Sequence, residues 1–487
     1  MRYTFPIFLL IIFSMFYCSA QAQTKWSLRR AVEYAIANNI SVKQANISSQ
    51  QAALNYFQTR YGIYPTASFS NNWNMSFGRR ENPTTGIFEN TKALASTFSF
   101  TSAFNIFNFY SQRNNIQASK YQQAATEAVE ERAKNDIAIR VANGYLLALQ
   151  AQEQVRVSEL QINLTREQLD QTRKRIDAGA LPELNAAEIE AQLASDSSAL
   201  ITAQSNTQLQ LLQLKAVLQL DAAAPFEVET PEVDRVPLEN IGDLQPEVVY
   251  QLALTNLPQQ RINDLNIKAA EKSRDAARGA MYPSFGGFVG LSTNFFAPLQ
   301  TSLPGSSPSG EQVTGLYARN GTSTFPVFSP TFTGKTVSKP FFDIWKGFGD
   351  QLNQQFGQSA GISLRVPLLN GYQARGAWER SKLTLRGNEL QKEVDNQALK
   401  QEIYTAYTNA VAALQKNAAS RKAVQTAQRS YVLSKKRYDE NLLTSFELLT
   451  NQNNLFRAQI DLLLARYDYI FKMKLLEFYK GQGMSLE

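Results

Sequence analysis

One arrangement is written twice in this chain, and the duplication constrains the fold more than any other feature. At an offset of 262, FNIFNFYSQRNNIQASK (Phe104 to Lys120) lies over VPLLNGYQARGAWERSK (Val366 to Lys382), so Asn108 meets Asn370 and Arg113 meets Arg375. The register continues without a gap to Arg175/Arg437, Asp177/Asp439, Gly179/Asn441 and Gln192-Leu193/Asn454-Leu455. Upstream the offset is 218, pairing Ala35 and Asn38 with Ala253 and Asn256, and Tyr64-Pro65 with Tyr282-Pro283. The 44-residue difference places one insertion between the two strands of the second copy. The reading is a first repeat over 23–224, a linker over 225–245 and a second repeat over 246–487. Each repeat is helix, strand, strand, long helix and shorter helix.

Residues 1–22 read as a signal peptide. They hold one cation (Arg2), an apolar stretch from Phe5 to Tyr17, and the small-x-small pattern Ala20-Gln21-Ala22 that signal peptidase cleaves. The mature protein is expected to be exported and to lose Cys18, the chain's single cysteine. With Cys18 gone the mature part has no Cys, and the whole chain has no His, so disulfides, thiol nucleophiles, His-based metal sites and imidazole catalysis are together removed. The formal charge of +7 is spread along mixed-sign runs such as EERAKND, a solvated helix surface rather than a nucleic-acid footprint.

Strands are expected at about 65–78 and 93–108, and again at about 283–295 and 352–370. From Ala67 to Gly78 the odd positions read Ala67, Phe69, Asn71, Trp73, Met75 and Phe77, while the even ones are Ser, Asn and Gly. This is the period of two that gives a strand one oily and one wet face. An ordinary sheet with one buried face shows the same alternation. These strands, however, reach the ~10 residues of a tilted membrane strand, and their polar faces suit a water-filled lumen. Four strands cannot close a barrel with a usable lumen, so membrane strands here require several chains to share one barrel.

Between strand pair and turn each copy runs without proline, Phe109 to Asp177 and Gly371 to Asp439. Such a run makes a helix of ~100 Å. Every seventh position is mainly apolar, Val141, Ala148, Val155, Ile162, Leu169 and Ile176 in one copy, and Ile403, Ala410, Asn417, Val424, Tyr431 and Tyr438 in the other. That spacing predicts coiled-coil-like packing; a soluble helical bundle would use the same stripe. Two shorter helices stacked end to end match the length of one long helix.

In the order of these elements, the Ala-x-x-Asn and Tyr-Pro pairs, and VPLLNGYQARGAWERSK closing the last strand, the chain resembles the TolC-type outer-membrane efflux proteins. The family's Pro-Leu-aromatic-Asn/Asp-Gly-Gly element appears as Pro367, Leu368, Leu369, Asn370 and Gly371, with Leu369 in the aromatic place and Tyr372 in place of the second Gly. The resemblance implies a mainly α fold with a membrane β-barrel contribution. A homotrimer would share a twelve-stranded barrel in outer-membrane lipid, continuous with a long periplasmic α-helical barrel. It implies a passive channel of a tripartite efflux or type I secretion system, fed by an inner-membrane transporter through a periplasmic adaptor. It implies neither enzyme nor cofactor, and no nucleotide site. The turns would form the periplasmic tip, with Gly179, Ala180, Leu181, Asn441, Leu442, Leu443, Thr444 and Ser445 meeting the adaptor. Glu188 and Glu447 would face the lumen as an acidic ring or gate, Thr450 standing where a second acidic residue is found in the family.

The insertion, about 296–349, is rich in Pro, Ser, Gly and Phe. It is expected to form an extracellular loop that cannot continue a strand ladder through its prolines; the first hairpin's loop, 79–92, is shorter. The competing reading is a periplasmic coiled-coil adaptor or scaffolding protein, which would usually show one helical hairpin between halves of a β-rich domain.

Overall fold

The computed structural model describes residues 25–81, 88–230, 237–303, 308–332, 335–440 and 442–482. The expected signal peptide and Asn441 lie outside them. The chain divides into a helical unit (Met1–Tyr56, Gln117–Lys272 and Arg380–Glu487) and a strand-bearing unit (Phe57–Ile116 and Ser273–Glu379).

The N-terminal segment of each repeat is two helices, not one. Helices α1 (Leu28–Asn38) and α2 (Ile40–Tyr61) are separated by Asn39, whose extended backbone ends the first helix. Its side chain accepts the Ser41 N–H at 2.8 Å and donates to the Val217 carbonyl at 2.9 Å. One buried Asn thus caps α2 and ties it to its neighbour. In the second repeat α5 (Pro246–Asn256) and α6 (Pro258–Gly279) break at Leu257, because Pro258 offers no N–H and pushes the preceding residue out of helical geometry. The Ala-x-x-Asn pairs end the first helix of each repeat, with Ala35 and Ala253 both fully buried.

The long helices α3 (Ser111–Asp177) and α9 (Gln373–Asp439) are 67 residues each, and are followed by α4 (Leu184–Leu218) and α10 (Ser445–Lys480). Of the twelve heptad-stripe residues none is exposed, and Val141, Ala148, Ile403 and Ala410 are fully buried. Val141, Ala148, Tyr145 and Leu149 meet Leu28, Ala31, Leu214 and Leu218 in one core, while Ile403, Ala406 and Ala410 meet Val249, Met473 and Leu476 in its counterpart. The linker is strapped to this scaffold at both ends. Tyr145 points its hydroxyl at the carbonyls of Trp26 and Glu229, and a parallel bridge joins Trp26 to Val228. Glu239 is held by the Lys480 ammonium at 2.8 Å, which keeps its carboxyl below the usual carboxylate range. One stripe has no cover: α2 exposes Ile40, Ile47, Leu54 and Tyr61 at intervals of seven, each more than half accessible.

In the strand-bearing unit, β1 (Thr66–Glu81), β2 (Phe88–Phe107), β3 (Ser284–Pro298) and β8 (Gly357–Arg365) form an antiparallel sheet in the order β1-β2-β3-β8. Its register puts Trp73 opposite Ser96 opposite Phe295, and Phe69 opposite Phe100 opposite Leu291. One face is therefore rich in aromatic and aliphatic side chains. On the other, Ser68 meets Thr101 at 3.0 Å and Ser70 meets Ser99 at 2.7 Å. Strands β1 and β8 each keep one unpaired edge within the chain. Among the described residues no helix is long and apolar enough to cross a membrane.

Three expectations are corrected here. The first hairpin's loop is shorter than 79–92, because pairing continues to Glu81↔Phe88. The last strand is not 352–370: helix α8 (Phe348–Gln354) occupies its start, and strand geometry stops at Arg365, before Pro367 can offer no ladder hydrogen bond. The insertion does carry ladders, β4 (Gln300–Leu303) with β7 (Lys335–Ser338), and β5 (Pro308–Asn320) with β6 (Ser323–Phe332). Its prolines are tolerated because each strand of a two-stranded ribbon has an open edge, and register shifts at Pro308/Gly310 and Val313/Tyr317 absorb the rest.

Candidate functional site: the helix-hairpin tips

Helix α3 ends in a Schellman turn. Gly179 has φ +72°, the Ala180 N–H donates to the Arg175 carbonyl and the Gly179 N–H to that of Ile176, both at 2.8 Å. At the end of α9 the Leu442 N–H makes the equivalent bond to the Arg437 carbonyl, also at 2.8 Å, 262 residues on. Helix α10 then starts with a capping box: the Thr444 hydroxyl accepts the Glu447 N–H, and the Glu447 carboxylate accepts the Thr444 N–H at 3.0 Å. That backbone hydrogen bond, then the one from the Thr444 hydroxyl, holds the Glu447 carboxyl below its ordinary range. The first tip has no such box, since Glu183 at the start of α4 makes no side-chain cap.

The residues expected at the tips do not share one environment. Ala180 and Leu442 are exposed, whereas Leu181 and Leu443 are half-buried against a cluster of Tyr431, Tyr438, Leu448 and Leu455. Ser445 is buried and donates its hydroxyl to the Glu188 carboxylate, so a residue expected to touch the adaptor instead joins α4 to α10. Glu447 is exposed beside them, and Thr450 spends its hydroxyl on the Phe446 carbonyl at 2.8 Å. Two residues that close the expected tip turns, 177–184 and 439–446, but were not among the expected adaptor contacts stand out: Leu184 is 66% and Phe446 68% exposed. They correspond at the same offset of 262, as do Ala180 and Leu442, so the duplication itself was the signal that could have found them.

The two hairpins are tied together just inside the tips. The Arg175 guanidinium donates to the carbonyls of Tyr438 and Asp439 at the end of α9, satisfying acceptors a helix C-terminus leaves open, and lies 5.7 Å from the Tyr438 ring centre. The Tyr438 hydroxyl lies 3.2 Å from that of Thr172. Further along sits a buried polar layer. Asp196, 6% exposed, accepts from Thr165 at 2.7 Å, Gln192 at 2.7 Å and Gln161 at 3.3 Å. Gln452 donates to Thr165 at 2.9 Å, and Gln192 and Asn453 exchange amide hydrogen bonds. The layer joins α3, α4 and α10.

These elements give long duplicated helices, capped tips and a sheet with one apolar face. The profile of the family described as Outer membrane efflux protein matches residues 31–218 and 348–478, more than half of the chain. The chain belongs to the outer membrane efflux protein family. Among solved structures it is similar to CusC (TM-score 0.72, 16% identity, covering 95% of this chain and 93% of that one) and to VceC of Vibrio cholerae (0.69, 15%, 94% and 97%). It is also similar to the CmeC outer membrane channel of Campylobacter jejuni (0.68, 16%, 94% and 86%). At these identities the likeness shows the shared fold. No curated protein sequence matches the chain. This outer membrane efflux protein is a channel and not an enzyme. It lies in the outer membrane, extends into the periplasm, and works as a homotrimer with a periplasmic adaptor and an inner-membrane pump. The adaptor reading is set aside.

Proposed function

We propose that cargo enters this outer membrane efflux protein at its helix-hairpin tips, which form the adaptor contact, and leaves through a barrel shared by three chains. The observation carrying the reading is the matched exposure of Ala180 with Leu442 and of Leu184 with Phe446, on two separately capped turns. Leucine and phenylalanine left open on a rigid helix end suit the apolar anchor of a partner helix. A photoreactive residue placed at Phe446 should yield an adduct with the system's periplasmic adaptor, identified by mass spectrometry. Intact trimers giving no such adduct from Phe446 or Leu184 would remove the tip contact.

Glu188 and Glu447 have a second proposed role, as carboxylates repeated three times around the lumen. Threefold symmetry turns each into a ring that favours cations. Glu447→Gln keeps an acceptor for the capping box but loses the charge, whereas Glu447→Ala loses both. In planar bilayers both variants should show reduced cation selectivity, and only the Ala variant should exchange the amides of residues 444–447 faster. Selectivity unchanged in Glu447→Gln and Glu188→Gln would end the ring role. The lowered Glu447 carboxyl also sets a direction with pH. Its cap is fully formed above the ordinary carboxylate range and is lost as pH falls through the lowered value, so acid should loosen this tip first.

The uncovered stripe on α2 fits a neighbouring protomer's helix. Ile47→Glu with Leu54→Glu should cut the yield of trimers in detergent at least about tenfold, each buried charge costing several kcal/mol. Trimer yield equal to wild type would place that stripe elsewhere.

A further inference from the structure

The segment between the insertion's last strand and β8 does not stand away from the sheet. It comprises the short helix α7 (Phe341–Ile344), Trp345 to Gly347, and α8. The Trp345 ring is stacked parallel on Phe295 at 5.7 Å and meets Trp73 edge-on at 5.6 Å. Phe348 packs on Phe295 at 4.8 Å and on Phe98 at 6.3 Å. Trp73, Phe98 and Phe295 all lie on the apolar side of the sheet, and Phe295 is fully covered.

The backbone is fitted as well as the rings. The Thr293 hydroxyl, on the same face, donates to the Leu352 carbonyl at 2.7 Å, and the Gln351 side chain accepts the Phe296 N–H at 2.9 Å. The second bond matters because β8 pairs with β3 only as far as Ser292. Beyond that point α8 stands in for the missing strand and satisfies a donor that would otherwise face hydrocarbon, where each unsatisfied group costs several kcal/mol.

An apolar sheet face in the outer membrane is its lipid face, so the segment occupies space that lipid fills elsewhere. Its level is set by the register. The row Trp73–Ser96–Phe295 is seven residues from Thr66, ~23 Å along a strand that leaves the helices at Thr66. The segment therefore lies in the outer half of the bilayer. Its outward surface is amphipathic: Phe341 is 66% and Phe342 83% exposed, while Lys346 pairs with Asp343 at 2.7 Å and Asp350 follows. Aromatic rings beside charges of both signs suit the boundary between acyl chains and headgroups, where neither water nor hydrocarbon accommodates both. Residues 341–347 fall between the two stretches matched by the family profile, while α8 lies at the start of the second.

We propose that residues 340–354 form a membrane strap, lying on the outside of the barrel at the acyl–headgroup boundary of the outer leaflet and presenting Phe341 and Phe342 to lipid acyl chains. The strap rests on the reading of β1, β2, β3 and β8 as membrane strands. Because the only cysteine is Cys18, in the signal peptide, Phe342→Cys and Phe69→Cys each give mature protein one site for a polarity-sensitive fluorophore. Both are reconstituted in phosphatidylcholine vesicles carrying nitroxides near the headgroup or deep in the chains, and are tested in parallel with aqueous iodide. The probe at 342 should be quenched at least about twofold more by the shallow nitroxide than by the deep one, and little by iodide. The probe at 69, ~10 Å along the same strand from Thr66, should favour the deep nitroxide. Iodide reaching 342, or no quencher reaching it, while 69 responds to lipid, overturns the strap and leaves the membrane strands standing. Iodide reaching both overturns the membrane strands themselves. Labelling of unmodified protein by a lipid-borne diazirine, with adducts expected within 340–354 and their absence counting against the strap, covers the case in which Phe342→Cys assembles poorly.

Discussion

Asp196→Ala should cost the helical unit about 3 kcal/mol, the largest loss expected from any single truncation in the polar layer. The carboxylate collects three donors, from Thr165, Gln192 and Gln161, in a place where water does not replace it. Removing it strands all three and leaves a cavity. The damage also spreads through Thr165 to Gln452, because the Thr165 hydroxyl that accepts from Gln452 has lost the acceptor for its own proton. Asp196→Asn should cost less, since its carbonyl oxygen still accepts while its amide confronts donors. Hydrogen exchange is the suitable measurement for a protein of this size. Amides of 192–196 and 449–453 should exchange about a hundredfold faster in the Ala variant, the factor equivalent to such a loss. Exchange within threefold of wild type would show that the layer contributes little.

A second large effect is expected at the tips. Leu442→Glu combined with Phe446→Glu should reduce efflux to that of cells without the channel, with at least about a tenfold increase in sensitivity to an exported toxic compound. Burying two carboxylates in an apolar contact without partners costs several kcal/mol, which weakens association by orders of magnitude. Both side chains are exposed in the chain itself, so trimer amount and single-channel conductance should stay at wild-type values. Those two controls separate loss of the adaptor from loss of the channel. Full efflux by this variant would show that the adaptor binds elsewhere.

Much of the architecture was legible because it is periodic. Alternation in Phe69, Trp73 and Phe77 identified the apolar face, and the heptad in Val141 to Ile176 identified the buried side of α3. Duplication placed the long helix and the helix after it at the same offset in both copies. What escaped notice depends on residues distant in sequence. Asp196 looks like any helix-surface carboxylate until Thr165 and Gln452, 287 residues from each other, are brought to it. Ser445 reads as an open turn residue until Glu188 accepts its hydrogen bond. The strap escaped for another reason: proline, serine and glycine dominate its flanks, and a four-residue helix has no periodicity to detect. Its signal was the cluster FFDIW, five residues with three aromatics.

The open borders of β1 and β8 bear on genetics as well as on folding. On the proposal that these are membrane strands, a protomer in lipid with two unpaired strand edges has no comfortable state of its own, so every chain that reaches the membrane is committed to a ring with two others. A copy whose tip is damaged but whose strands are sound will enter such rings as readily as an intact one. If damaged and intact chains are made in equal amounts, only about one ring in eight is free of damaged members when three are drawn at random. Tip mutations should therefore be dominant when expressed beside the normal gene, while mutations that prevent strand pairing should be recessive, because their products never join.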